Sequence, residues 1–263
     1  MPQTMGRVIA ISNQKGGVGK TTTSINLSAS LALLGKTVLL IDFDPQGNTS
    51  SGLGLRPGRF AQNIYNSLIL GKPLKDQILP TDIARLKLIP TNIDLTGAEI
   101  ELVGVASREF KLKGVIEQLT DRFDFVLIDC PPSLGLLTVN SLTASDSILI
   151  PLQCEYYAME GVSQLIKTIK AVKRTLNPRL EIEGILPTMF DIRNNISRQV
   201  IEEVKTHFRG SVFRSIIPRN VRLSEAPSFG KPAFLYDRTS KGAISYLRLA
   251  KELLEKNVRP NST

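Results

Sequence analysis

The stretch Gln14-Lys15-Gly16-Gly17-Val18-Gly19-Lys20-Thr21-Thr22 decides the fold. An apolar run, Val8 to Ile11, leads into it, and a helix-like pattern from Thr21 to Leu34 leaves it. A strand, a glycine-rich loop and a helix N-terminus in that order form a cradle for phosphate. Glycines let successive N–H groups converge on one point, and the helix end adds unpaired N–H groups and a partial positive charge. Lys20 is placed to neutralise terminal phosphates, and the Thr21 hydroxyl to hold a magnesium ion. The general pattern GxxxxGK[ST] asks for glycine where this chain has Gln14, and the loop carries a second lysine, Lys15. An ordinary strand-to-helix turn would explain glycines, but not the Thr pair that follows Lys20.

Outward from that loop, three more apolar runs read as buried parallel strands. Thr37 to Ile41 ends in Asp42-Phe43-Asp44-Pro45-Gln46-Gly47-Asn48, and Phe125 to Asp129 ends in Cys130-Pro131-Pro132. Ser147 to Leu152 is the third. Carboxylates at the C-terminal ends of such strands share an edge with the phosphate loop. There Asp42 and Asp44 suit water or metal near the phosphates, although taken alone the pair is better explained by an Asp-Pro turn. Asp129 reads as support for the magnesium shell.

Asn48 to Arg59, rich in Gly and Ser, reads as a loop. Phe60 to Leu70 reads as helix, Leu86 to Pro90 as a short strand, and Leu95 to Arg122 as helix interrupted at Gly104 and Gly114. Tyr157 to Leu176 and Asn195 to Phe208 are expected helices around a strand at Ile182 to Met189. Val212 to Ile217 is expected as a last strand before a loop from Pro218 to Pro232. Lys241 to Lys256 is a closing helix with the apolar stripe Ala243, Leu247, Ala250 and Leu254. Alternating strands and helices without repeat or linker predict one α/β domain over residues 1–263, with its core at about 6–256. Its expected architecture is a doubly wound, mostly parallel sheet flanked by helices.

With 263 residues and 42% hydrophobic content, the chain can bury a full core. No apolar run reaches bilayer-spanning length, Met1 to Gly6 lacks signal-peptide regions, and Cys130 and Cys154 have no disulfide or metal spacing. A reducing cytoplasm is the expected compartment. The net charge is +9, and residues 189–263 hold 14 Lys and Arg against 7 Asp and Glu. A basic last third fits a polyanionic partner, nucleic acid or acidic lipid, as well as a plain solvated surface.

Lys15 to Thr22 resembles the deviant Walker A motif of the ParA/MinD ATPases, a P-loop NTPase family. Asp42 to Asn48 resembles that family's switch I, and Phe125 to Pro132 its Walker B and switch II. Thr188 to Asp191 and Ile217 to Pro227 are similar to the chromosomal ParA branch, often called Soj, and the likeness runs from about Gly6 to Leu254. The resemblance implies an ATP hydrolase, slow alone and stimulated by a ParB-like partner. It also implies an ATP-bound homodimer, with Lys15 of each copy reaching the phosphates held by the other and Gly16 at the close interface. Carried over, Lys15, Lys20 and Asp44 are catalytic, with Asp44 orienting the attacking water. Residues Lys15, Gly16, Gly17, Val18, Gly19, Lys20, Thr21 and Thr22 bind ATP, and Pro218 and Asn220 line the adenine. Thr21 holds magnesium and Asp129 reaches it through water. Arg193 and Arg222 match arginines that hold double-stranded DNA without sequence preference, which implies a cytoplasmic, nucleoid-associated protein. Arg198, Arg214, Arg219 and Lys241 are candidates to extend that surface.

The alternative within the family is a MinD-like, membrane-associated ATPase, which needs an amphipathic tail. The polar, proline-broken end from Lys256 to Thr263 predicts no stable membrane anchor. A cluster-binding relative needs exposed cysteines, whereas Cys130 and Cys154 read as small buried hydrophobes. A sequence-specific repressor needs a helix-turn-helix domain, and none is expected in Met1 to Arg7.

Overall fold

The computed structural model describes residues 6–56, 60–119, 121–155 and 158–258. From the N-terminus the elements are β1 (Arg7–Ile11), α1 (Lys20–Leu33), β2 (Val38–Asp42), α2 (Asn48–Gly52), α3 (Ile64–Leu68), β3 (Leu79–Pro80) and β4 (Leu86–Ile89). Next come α4 (Leu95–Glu101), α5 (Lys111–Ile116), β5 (Phe125–Asp129), α6 (Leu136–Ala144), β6 (Ser147–Gln153) and α7 (Ala158–Thr175). The last part holds β7 (Glu181–Thr188), α8 (Asn195–His207), α9 (Val221–Glu225), α10 (Ala233–Tyr236) and α11 (Lys241–Val258).

The strands form one sheet in the order β3-β4-β2-β5-β1-β6-β7. All pairs are parallel except the two-residue edge strand β3. Register sets Ile11 of β1 and Asp42 of β2 each beside Asp129 of β5, so three strand ends and their loops meet at one edge. Alternate strand residues face opposite sides. Val8, Ala10, Leu39, Ile41, Val126 and Ile128 pack with α3 to α8. Ile9, Ile11, Leu40 and Leu127 pack with α1 and α11. The doubly wound sheet expected from the sequence is present.

Helix α1 is buried nearly all round because its polar residues are small and satisfy themselves. The Ser28 hydroxyl donates to the Ser24 carbonyl at 2.5 Å, and the Ser24 hydroxyl is shared between the Lys20 carbonyl at 3.0 Å and the Asp129 carboxyl at 2.8 Å. Helix α11 lies against it, with the Tyr246 and Thr23 hydroxyls 3.0 Å apart. The buried stripe of α11 is Ala243, Tyr246, Leu249, Ala250 and Leu253. It is rotated from the expected one, leaving Leu247 and Leu254 half-buried at its margin.

Several local expectations change. Val212–Ile217 is not a strand: Phe213 N–H and Ile217 N–H reach the carbonyls of Ile185 and Pro187, but Arg214 and Ser215 give theirs to the buried Glu252 carboxylate at 2.7 and 2.9 Å. That side chain interrupts the ladder. Residues 48–52 are helix rather than loop, and 218–232 contains α9 and a 3₁₀ turn, Ala226–Phe229. Gly104 breaks the helical stretch as expected, whereas Gly114 lies inside α5. The Phe60–Leu70 helix shortens to α3, started by Asn63, whose side chain accepts Asn66 N–H at 3.0 Å. Helix α6 and strand β3 had no counterpart in the sequence reading. Residues 1–5, Arg59, Tyr157 and the tail at 259–263 lie outside the described residues. Among the described residues no helix is long and apolar enough to cross a membrane.

Candidate active site

The loop between β1 and α1 is pinned on both sides. Asn13 Nδ2 donates to the Pro151 carbonyl at 2.8 Å, and its Oδ1 accepts Lys15 N–H at 3.1 Å. Thr188 Oγ1 donates to the Val18 carbonyl at 2.8 Å, joining the loop to the end of β7. Gly17 and Gly19 hold φ of 74° and 91°, values that a Cβ disfavours. Gly19 precedes α1 as its N-cap and supplies no side-chain cap, so the first N–H groups of the helix remain open to an anion.

Lys20 is 6% exposed, and its Nζ donates to the Lys15 carbonyl at 3.1 Å. Burial lowers its pKa against the pull of Asp129 and Asp44, so an added anion would favour its charged form. Asp129 is wholly buried. Its Oδ2 accepts the hydroxyls of Thr21 at 2.9 Å and Thr49 at 2.6 Å, and its Oδ1 accepts Ser24 Oγ at 2.8 Å. Burial raises its pKa while these hydroxyls oppose the rise.

On the neighbouring strand Asp42 Oδ2 accepts Ser50 N–H at 2.8 Å and Ser50 Oγ at 2.6 Å, and Oδ1 has no protein partner. Burial, then the nearby Asp129, push Asp42 up to about 8. Asp44 is 7% exposed, and its Oδ1 accepts Gln46 N–H at 3.0 Å. It therefore makes a turn and faces the site at once.

Gly16, Gly17, Gly19, Lys20, Thr21, Thr22 and Asp44 line one cavity of about 560 Å³. A second, of about 500 Å³, is lined by Pro218, Asn220 and Tyr246 among others. The two share Gly19, Thr22, Met189 and Pro227, so they adjoin and together are termed the cleft. Asn220 Oδ1 is buried without a protein partner. Val18 is buried under the loop.

Lys15 is not in this cleft. It lines a shallow depression with Gln14, Pro132, Ser133 and Leu134, and its Nζ lies 3.8 Å from Glu155, which also meets Arg219 at 3.8 Å. A Cβ on Gly16 would meet nothing within 4 Å. Arg193 and Arg222 are also outside the cleft, on segments joined by the Phe190–Pro218 bridge and the Arg219 N–H bond to Phe190. Arg193 is held by Asp191 at 2.7 Å, and Arg222 by Glu225 at 2.7 Å and Asp237 at 3.4 Å.

Sequence reasoning missed Ser24, Thr49 and Met189. Ser24 lies one helical turn after Thr21, a spacing that puts both hydroxyls on one face. Met189 takes φ of 52° and lines both cavities; a left-handed non-glycine residue is uncommon, and no residue type announces it.

Magnesium suits the donor set. No cluster of three His, Cys, Asp or Glu able to hold a metal exists among the described residues. The hard oxygens of Thr21 and Asp129 therefore fit an ion that also takes phosphate and water ligands. Cys130 and Cys154 are buried thiols pushed up to about 12, poor candidates for a cluster-binding thiolate.

An AAA domain family model matches residues 6–182. The chain is 57% identical to the chromosome partitioning protein ParA of Myxococcus xanthus, over 97% of this chain and 90% of that one. It is 58% identical to the sporulation initiation inhibitor protein Soj of Bacillus subtilis, over 95% and 98%. Among solved structures, cobyrinic acid a,c-diamide synthase from Mycobacterium smegmatis with bound ADP and magnesium is 41% identical with a TM-score of 0.86, over 97% of both chains. The last carries the name of a different activity, but its identity is well below that to the partitioning proteins. The chain belongs to the ParA/MinD family of deviant Walker A ATPases, in its chromosome-partitioning ParA (Soj) branch.

Proposed function

We propose that this protein hydrolyses ATP to ADP and phosphate and uses the ATP-bound state to dimerise and hold DNA during replicon segregation. The observation that carries the reading is the separation of two lysines on one loop. Lys20 is buried and lines the cleft, while Lys15 does not line it and borders a neighbouring depression with Ser133 and Leu134. A lysine so placed serves a phosphate presented by another copy.

In this reading the triphosphate lies along the loop from Gly16 to Thr22, with Lys20 on its terminal phosphates. The base enters the adjoining cavity, where Pro218 flanks it and the unpaired Asn220 Oδ1 accepts the adenine amino group. Thr21 holds magnesium directly and Asp129 through water; the ion, when bound, neutralises phosphate charge. Asp44 orients the attacking water. Lys15 of a second copy adds its charge only when both chains carry ATP, a form of electrostatic stabilisation absent from the monomer. Dimerisation also doubles the phosphates that Arg193 and Arg222 can neutralise, and non-specific affinity rises steeply with that number. Turnover is slow until a ParB-like partner stimulates it. The protein acts in the cytoplasm on the nucleoid.

A mobility shift on non-specific double-stranded DNA, with and without ATP, tests this. Asp44→Ala, which retains ATP, is expected to bind DNA more firmly with ATP than without. Equal binding in both conditions refutes the switch. Co-sedimentation with anionic lipid vesicles instead of DNA would establish the MinD-like alternative.

A further inference from the structure

Two adjacent hydroxyls in α2 have no role in the function proposed above. Thr49 Oγ1 donates to Asp129 Oδ2 at 2.6 Å, and Ser50 donates to Asp42 Oδ2 through its hydroxyl at 2.6 Å and its N–H at 2.8 Å. Both acceptors are wholly buried and lie side by side at the ends of β5 and β2. Consecutive residues of one short helix are therefore fastened to two neighbouring strand ends.

We infer that Thr49 and Ser50 are positioning residues that tether the helix after Asp44 to the carboxylates beneath the phosphate site, so that magnesium binding at Thr21 and Asp129 sets where Asp44 stands. The inference rests on the ATPase reading and adds a coupling to it.

Three observations support it. First, α2 spans five residues, lacks a side-chain cap and follows Gly47, an N-cap in the left-handed region. A helix that short has little stability of its own, so its position is set by its contacts. Second, Thr21 and Thr49 donate to the same oxygen, Asp129 Oδ2. Any shift of that oxygen when Thr21 takes up an ion is felt directly by Thr49. Third, the link from α2 back to Asp44 is stiff. Gln46 N–H bonds to Asp44 Oδ1 at 3.0 Å, and Gly47 N–H bonds to the Asp44 carbonyl at 2.9 Å. Ser50 extends the tether outward, since its Oγ accepts Thr91 N–H at 3.3 Å beyond β4. The chain from Thr21 through Asp129 and Thr49 to Asp44 is thus continuous.

Thr49→Val keeps the shape of a wholly buried side chain and deletes only the donor. Hydrogen exchange over residues 44–55 is followed with ATP in EDTA and with ATP plus magnesium, alongside ATP affinity in both conditions. The wild type is expected to gain protection at 44–55 on adding magnesium. Thr49→Val is expected to lose that gain, to bind ATP normally in EDTA, and to need roughly tenfold more magnesium, as befits one lost hydrogen bond to a charged acceptor. Its kcat falls more than its KM changes, and Thr49→Ser restores the protection gain, the magnesium requirement and kcat. Ser50→Ala is expected to raise exchange at 44–55 in both conditions without changing the magnesium requirement; it reads the tether separately if Thr49→Val folds poorly. Magnesium-dependent protection retained in Thr49→Val, a Thr49→Ser as defective as the valine, or unchanged exchange in Ser50→Ala would overturn the tether. A wild type that binds no ATP would instead overturn the ATPase reading beneath it.

Discussion

Arg222→Ala offers a quantitative test of DNA binding by the dimer. The Arg222 guanidinium is half-exposed, 2.7 Å from Glu225 and 3.4 Å from Asp237, and 6.0 Å from the centre of the Tyr236 ring. Such exposed pairs are worth at most about 1 kcal/mol each, so a phosphate can displace them. Each phosphate neutralised adds about 0.9 to the slope of log affinity against log salt. A dimer carries two copies of Arg222, so the variant loses about 1.8 from that slope if each copy meets one phosphate. Across a rise from about 50 to about 200 mM salt, the wild type should therefore lose roughly 12-fold more affinity than the variant. Fluorescence anisotropy on non-specific DNA with ATP, in an Asp44→Ala background expected to hold the ATP state, measures both slopes. Parallel lines refute phosphate contact by Arg222, and a slope change of only about 0.9 refutes binding as a symmetric dimer.

Asp191→Asn should release Arg193, which Asp191 grips at 2.9 and 2.7 Å, and tighten ATP-dependent DNA binding about 2- to 5-fold at low salt; anisotropy reads this directly. Asp42, pushed up to about 8 by burial and Asp129, stays protonated in the fold at pH values where the unfolded carboxyl, with a pKa of about 4, has ionised. Stability should fall as pH rises from about 4 to about 8 and level off above. Asp42→Asn should flatten that trend in denaturant midpoints, and an unchanged trend would count against the assignment. Asn220→Ala removes a buried oxygen that has no protein partner. It should leave the nucleotide-free protein as stable or up to about 1 kcal/mol more so, while shrinking the melting shift produced by ATP. Gly230→Ala puts a Cβ 2.6 Å from Gly54 Cα at a φ of 65°, and should cost about 2 kcal/mol or more in thermal unfolding.

The parts of this molecule legible in its sequence are those set by local pattern. Buried parallel strands are unbroken apolar runs, so β1, β2 and β5 and the acids that end β2 and β5 could be read directly. The phosphate loop is a contiguous motif. What escaped was fixed by partners far away in the chain. Residues 48–52 look like loop from their Gly and Ser, and become helix where Asp42 and Asp129, 8 and 80 residues distant, receive their side chains. Val212–Ile217 looks like strand, and is interrupted by a carboxylate 38 residues later. The α11 stripe turned because the small side chains of α1 admit Tyr246, which the aliphatic spacing alone passed over.

The contrast between the two loop lysines gives a physical account of why nucleotide and partner would be sensed separately. Lys20 is buried, and among the described residues its ammonium donates to a neutral carbonyl. Its desolvation outweighs the opposing pull, led by Asp129, so it gains from any phosphate that enters the cleft, whichever nucleotide brings it. Lys15 is 38% exposed, and its contact with Glu155 is long, at 3.8 Å. A pair of that kind holds a side chain with less than about 1 kcal/mol, enough to park the lysine but not to retain it against a triphosphate. On the dimer reading, burial alone divides the labour. The lysine that has already lost its water binds in cis, and the lysine still solvated and weakly paired remains available to a second copy.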